Sequence, residues 1–163
     1  MDFKKILLAV DASENAMRAV EYTGSIAGST KGFQVELFCV ERLPHRDTFP
    51  DEAAWAESCE RTREELKTFM AQAHTRLETL GMARESITDQ YLISCTSPFP
   101  NETFSCSRGT SVAQDIMEAV RQGGFGTVVV GRRGVSKAEE FLFGSVSNKI
   151  IHSAKDVTVW VVS

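Results

Sequence analysis

Two short runs constrain this chain more than anything else in it. Ile6-Leu7-Leu8-Ala9-Val10 and Thr127-Val128-Val129-Val130 show no alternation of polar and apolar residues. A strand with one face in water alternates, whereas a strand buried on both faces reads as a continuous apolar run. Burial on both faces needs helices above and below, and the residues between the runs supply them. Ser13 can cap a helix in which Ala16, Ala19, Val20, Thr23 and Ala27 recur at helical spacing, and Gly32 closes the following turn. Val35 to Val40 then reads as a second strand, so the chain opens as strand, helix, strand with a crossover long enough for parallel pairing.

A polar loop with Pro44 and Pro50 leads into a long helix from about Trp55 to Leu80, with a stripe of Cys59, Leu66, Phe69, Met70, Ala73, Leu77 and Leu80 and a stop at Gly81. Trp55, Phe69 and Met70 are expected in the core. Residues 84–108 are ambiguous: Tyr91-Leu92-Ile93 and Thr103-Phe104-Ser105-Cys106 can each be strands around the turn signal Ser97-Pro98-Phe99-Pro100-Asn101. Ser111-x-x-Gln114 has the form of a capping box, followed by a stripe of Val112, Ile116, Ala119 and Val120 that ends at Gly123-Gly124. Ser136-x-x-Glu139 caps a short turn, Gly144-Ser145 starts another helix, and Val157 to Val162 is the final strand. This alternation predicts an α/β fold with a single open five-stranded parallel sheet in the order 3-2-1-4-5 and helices on both faces. The strands are expected near 4–10, 34–40, 103–107, 127–131 and 157–162, in one domain over 1–163 with an insertion around 84–101.

Composition narrows the function classes. The 163 residues are 42% hydrophobic and 25% charged, with a net charge of −4. That balance suits a globular core and leaves no electrostatic footprint for nucleic acid or an anionic membrane. The N-terminal apolar run is too short for a signal core, and Asp11 ends it; no stretch is long enough to span a membrane. Cytoplasm is therefore the expected location. Cys39, Cys59, Cys95 and Cys106 form no CxxC pair, and buried or free thiols are expected rather than a disulfide or a metal site. Asn101-Glu102-Thr103 is read as a polar turn. His45, His74 and His152 show no partner spacing.

The feature that carries chemistry is Gly131-x-x-Gly134, nine further residues, then Gly144-Ser145, placed between a buried strand and a helix. A polyphosphate needs several backbone N–H groups converging on it with no Cβ in the way, and glycines allow that approach and unusual φ angles. The helix starting at Ser145 adds unpaired N–H groups and a positive dipole end. Ser145 and Ser147 add hydroxyls. Arg132 and Arg133 lie inside the loop, one expected near the phosphates and one in solvent. The bland reading is that these glycines only turn the chain; the long spacing and the serine after the last glycine weigh against it. No Gly-Lys-Ser/Thr and no GxGxxG occurs.

Gly131, Gly134, Gly144 and Ser145 match the Gly-2x-Gly-9x-Gly-Ser/Thr signature of the universal stress protein family, which this chain resembles over roughly 3–82 and 108–162. The resemblance implies an adenine nucleotide alpha hydrolase-like fold and a bound ATP, alone or with Mg2+. It implies that Asp11 contacts the nucleoside, with Ala9 and Val10 beside the adenine. The main chain of Val40 would meet the adenine edge. Val130 and Gly131 would flank the ribose and phosphates, and Gly134, Gly144, Ser145, Val146 and Ser147 would hold the phosphates. Asp11 also fits a helix cap, and Val40 a plain core residue. The family resemblance further implies a homodimer through the last strand, an apolar edge that invites association, and a stress or signalling role.

No nucleophile–base pair is legible, and tight phosphate binding alone lowers no hydrolysis barrier. The reading is a nucleotide-responsive binding protein with at most slow ATP hydrolysis. Two alternatives remain open. One is an adenylate-handling enzyme of a related α/β fold, opposed by Asp11-Ala12-Ser13-Glu14 where such enzymes carry a Ser-Gly-Gly-x-Asp-Ser-like loop. The other is a dimeric scaffold without nucleotide, opposed by the intact glycine signature.

Overall fold

The computed structural model describes residues 2–99, 106–108, 110–132 and 143–163. Five strands form one sheet: β1 Asp2–Val10, β2 Gln34–Val40, β3 Ile87–Leu92, β4 Phe125–Gly131 and β5 Thr158–Val162. Their order is β3-β2-β1-β4-β5, and every neighbouring pair is parallel. The helices are α1 Glu14–Ala27, α2 Glu52–Thr79, α3 Val112–Gly123 and α4 Ser145–Ser153. The expected fold class and strand order are what the structure has.

β1 shows why its run admits no polar residue. Successive side chains of a strand point to opposite faces. Ile6, Leu8 and Val10 enter the core formed with α1 and α2, while Leu7 and Ala9 meet α3 and α4 on the other side. Ser13 caps α1, its Oγ accepting from Ala16 N–H at 3.1 Å. α2 begins earlier than the apolar stripe suggests, because Asp51 caps it by accepting from Ala54 N–H at 2.8 Å. Ser111 is the N-cap of α3, yet its side chain makes no capping bond, so the anticipated capping box is not formed. The Ser136–Glu139 motif lies outside the described residues.

The third strand corrects the sequence reading. It is Ile87–Leu92, within the 84–101 range assigned to an insertion, and not 103–107. β3 is an outer strand whose Thr88, Asp89 and Gln90 are exposed, so it lacks the apolar run that marks an inner one. Its register is set against β2 from Val35↔Ile87 to Val40↔Leu92, and His74 of α2 reaches Asp89 at 3.0 Å, a partner that spacing did not reveal. Thr103, Phe104 and Ser105 lie outside the described residues, and Ser107 makes a single parallel bridge to Ser94.

The cysteines need a second correction. Cys39 and Cys59 are buried free thiols, but Cys95 and Cys106 form a disulfide. Chain pairing creates it: Cys95 N–H donates to Ser107 O and Ser107 N–H to Ile93 O, each at 2.8 Å, which leaves the two cysteine Cα atoms 5.1 Å apart. Nothing in a spacing of 11 residues announces that juxtaposition. Closing a loop of this length restricts the unfolded chain by about 3 kcal/mol in the loop-entropy picture. Reduction with dithiothreitol should therefore lower the calorimetric melting temperature by several degrees. An identical melting curve with and without reductant would show that the two cysteines are not joined in solution.

Candidate functional site

The carboxyl ends of β1, β2 and β4 open into one pocket, where an open α/β sheet places its ligand crevice. β1 contributes Ala9, Val10 and, just past its end, Asp11; β2 contributes Val40; β4 contributes Val130 and Gly131. Gly144, Ser145, Val146 and Ser147 border it from the start of α4. Of the residues singled out in the sequence for this site, all but three thus meet here. Arg132 does not line the pocket, and Gly134 lies outside the described residues, as does Arg133.

Arg132 acts through its backbone. Its N–H donates to Val162 O at 2.6 Å, and its carbonyl accepts from Gly144 N–H and from Ser147 Oγ, both at 2.8 Å. The backbone of one residue therefore ties the ends of β4 and β5 to the start of α4. This changes the role of Ser147: its hydroxyl, also 3.1 Å from Gly144 O, is engaged in holding the loop rather than offered to a ligand. Ser145 is the exposed hydroxyl at the helix start.

The two described signature glycines act through proximity. Gly144 is the N-cap of α4 with φ −66 and ψ 161, a conformation open to any residue, and it provides no side-chain cap. The N–H groups of Ser145, Val146 and Ser147 in the first turn of α4 have no intrahelical acceptor, and Gly144 supplies no side-chain cap. Gly131 also avoids positive φ; a Cβ there would come within 3.0 Å of the Asn15 backbone, so glycine lets the first turn of α1 lie against the end of β4. Unusual φ angles, expected for these glycines, are not used.

Asp11 is not the helix cap. Its Oδ1 accepts from Ser13 N–H at 3.3 Å and from the Ser13 hydroxyl, orienting the residue that does cap α1. Val40 sits where pairing ends. Glu41 N–H turns to Leu92 O at 2.8 Å, so strand alternation turns the backbone groups of Val40 toward β1. The β1–β2 ladder stops at Val10↔Cys39, which leaves the Val40 carbonyl past the last pair, at the pocket.

Sequence reasoning missed five lining residues: Ala16, Phe38, Arg42, Val112 and Ile116. Four of them carry an ordinary core signature, and nothing in one sequence separates a pocket wall from a packed helix stripe. Arg42, a cation two residues past the end of β2, was the one visible signal.

The surroundings of the buried thiols keep them protonated. Burial, then the charges of Asp11 and Glu41, push the Cys39 thiol up to about 12. Burial and Glu41 raise Cys59 as well. Burial also raises the Tyr91 phenol, with the Glu41 carboxylate adding to it. A nucleophilic cysteine needs a depressed pKa, and neither free thiol has one. Among the described residues no three His, Cys, Asp or Glu side chains converge on a possible metal site. The pocket offers an apolar slot walled by Phe38, Val40, Val112 and Ile116, and beside it an uncapped helix start. A flat apolar group joined to an anion is what such a surface can hold.

That is a crevice at the carboxyl ends of an open α/β sheet, and the comparisons agree with the fold. The universal stress protein family model matches residues 2–163, and the chain belongs to that family. No curated protein sequence matches significantly. Among solved structures, the protein MJ0577 superposes with a TM-score of 0.72 at 23% identity, covering 99% of this chain and 96% of that one. UspA from Lactobacillus plantarum gives 0.71 at 16% identity, covering 100% and 99%. The universal stress protein from Archaeoglobus fulgidus in complex with dAMP gives 0.62 at 18%, covering 100% of both chains. A universal stress protein in complex with cAMP gives 0.64 at 16%, covering 98% and 96%. At these identities the likeness establishes the shared fold.

The raised thiols yield a direct check. Native protein treated with an aromatic disulfide reagent at about pH 8, below even the ordinary thiol pKa of about 8.5, should label neither Cys39 nor Cys59. Unfolding in guanidinium should release both. Rapid labelling of the native chain would contradict the burial described here.

Proposed function

We propose that this protein binds ATP, alone or with Mg2+, and acts as a nucleotide-responsive stress or signalling module with at most slow hydrolysis. The observation that carries this reading is the join of the apolar slot to the uncapped start of α4. Adenine enters the slot, with its amino group on the Val40 carbonyl and Ala9 and Val10 beside it. Asp11 takes a ribose hydroxyl, and Val130 and Gly131 flank the ribose and first phosphate. The phosphates lie on the N–H groups of Ser145 to Ser147, against the bare Cα of Gly144, with Ser145 donating its hydroxyl. Arg132 and Gly134 shape the same phosphate loop, Arg132 through its carbonyl. Relatives solved with cAMP and with dAMP support an adenine nucleotide in this fold. Mg2+ would be held by phosphate oxygens and water, since no cluster of protein ligands is present among the described residues.

The same reading takes residues 1–163 as one domain and makes the protein a homodimer. β5 is the outer strand next to β4, with Trp160 only partly buried against Tyr22, and a second copy would cover that edge. Light scattering at micromolar concentration should give twice the chain mass; a monomer contradicts it. We place the protein in the cytoplasm. No described helix is long and apolar enough to cross a membrane. In that compartment the Cys95–Cys106 pair would be held reduced by cellular thiols, so trapping the thiols in intact cells tests the location.

Binding stabilises a fold by mass action, and ATP at about 100 times its dissociation constant adds roughly 2.7 kcal/mol. A clear rise in melting temperature with ATP is expected. Gly144→Val should remove most of that rise, because a Cβ would hold the phosphates off the backbone. Ser145→Ala should remove less, about 0.5–1.5 kcal/mol for one hydrogen bond. If Gly144→Val lowers stability equally with and without ATP, the glycine only turns the chain. If wild type shows neither a shift nor calorimetric heat with ATP, the reading fails.

A further inference from the structure

A second cavity of about 550 Å³ adjoins the nucleotide slot, sharing Arg42, Val112, Ser145 and Val146 with it. The slot alone encloses about 90 Å³. Small-molecule sites are roughly 300–1,000 Å³, so the larger space belongs to this neighbour. Its lining is divided in charge.

The inner end carries the carboxylate of Glu41, 2% exposed. One of its oxygens accepts from Tyr91 OH at 3.0 Å and the other from Ser94 N–H at 2.8 Å. It has no ion pair among the described residues, although buried charges are ordinarily paired. A carboxylate offers about four acceptor positions, so this one faces the cavity with unused capacity. The outer end is cationic. Lys149 and Arg42 are exposed and make no ion pair among the described residues, and Arg46, paired with Glu52, lies over the Trp55 ring. Between the two ends lies the first turn of α3, where Ser111 makes no side-chain capping bond.

An anion alone would meet Glu41 unfavourably, and a neutral polyol would leave the cations unused. We propose that this cavity is a second ligand site that takes a phosphorylated sugar group. Sugar hydroxyls donate to Glu41, and the phosphate lies between Lys149, Arg42 and the first turn of α3. The group arrives either as a separate sugar phosphate or as the second arm of an adenine dinucleotide whose first half fills the slot. The tethered form rests on the nucleotide reading above, and the free form does not.

Calorimetric titration of the full chain with AMP, ribose 5-phosphate and diadenosine tetraphosphate separates the cases. For a tethered arm, the dinucleotide should bind more tightly than AMP by about tenfold, the equivalent of roughly 1.4 kcal/mol. Lys149→Ala, a surface change, and Glu41→Gln should each reduce that excess while leaving AMP affinity in place. For a free ligand, ribose 5-phosphate should bind one-to-one to protein already saturated with AMP and lose affinity in both variants. If AMP binds, ribose 5-phosphate does not, and the dinucleotide gains nothing, the second site is overturned and the nucleotide reading stands. A dinucleotide excess untouched by both variants also overturns it. If ribose 5-phosphate binds in a variant-sensitive way and AMP does not bind, the second site stands and the nucleotide reading fails. If nothing binds, both fall.

Discussion

The burial of β1 on both faces is the constraint from which the rest of the structure follows. Ile6, Leu7 and Leu8 are all fully buried, so neither face of the strand can be left to water. α1 and α2 must cover one side, and α3 and α4 the other. β1 must also have a neighbour at each edge, which β2 and β4 provide in parallel. The chain leaves toward β2 on one side and returns through β4 on the other. That reversal opens a crevice above the strand ends, and the pocket occupies it. A polar residue at Leu7 or Leu8 would strike the core and the site together.

The site built there is mostly main chain. The Val40 carbonyl lies past the end of a ladder, the N-cap of α4 is a glycine with no side chain to cap it, and the Arg132 backbone joins β4, β5 and α4. Backbone groups held by a sheet cannot rotate away, so the arrangement is organised before any ligand arrives. The same economy explains why so little reactive chemistry is present. Cys39 beneath the pocket stays a protonated thiol, and Asp11 is engaged with Ser13.

What the sequence made legible follows the same logic. Inner strands announce themselves because both faces are apolar, so β1, β2 and β4 could be read within two residues, and β5 within one. The outer strand β3 was misplaced because Thr88, Asp89 and Gln90 face water and look like loop. Glycine spacing pointed to a corner of the fold where the structure has a pocket, but the expected use of unusual φ angles is not found at the described signature glycines. Gly131 makes room for Asn15 rather than adopting an unusual φ. Ser147 read as a ligand donor until Arg132 O was seen to hold its hydroxyl. The pocket walls Phe38, Val112 and Ile116 and the Cys95–Cys106 bond depend on which segments meet in space, and a local pattern carries no record of that.

The central claim is that an adenine nucleotide spans from the end of β2 to the start of α4. Titration of isotopically labelled protein with ATP, followed through backbone amide resonances, tests it residue by residue. The account predicts the largest shifts at Gly131 and at Gly144 to Ser147, with a second group around Val40 and Asp11, all saturating together. Shifts confined to other surfaces, or no saturable change at the first turn of α4, would contradict it.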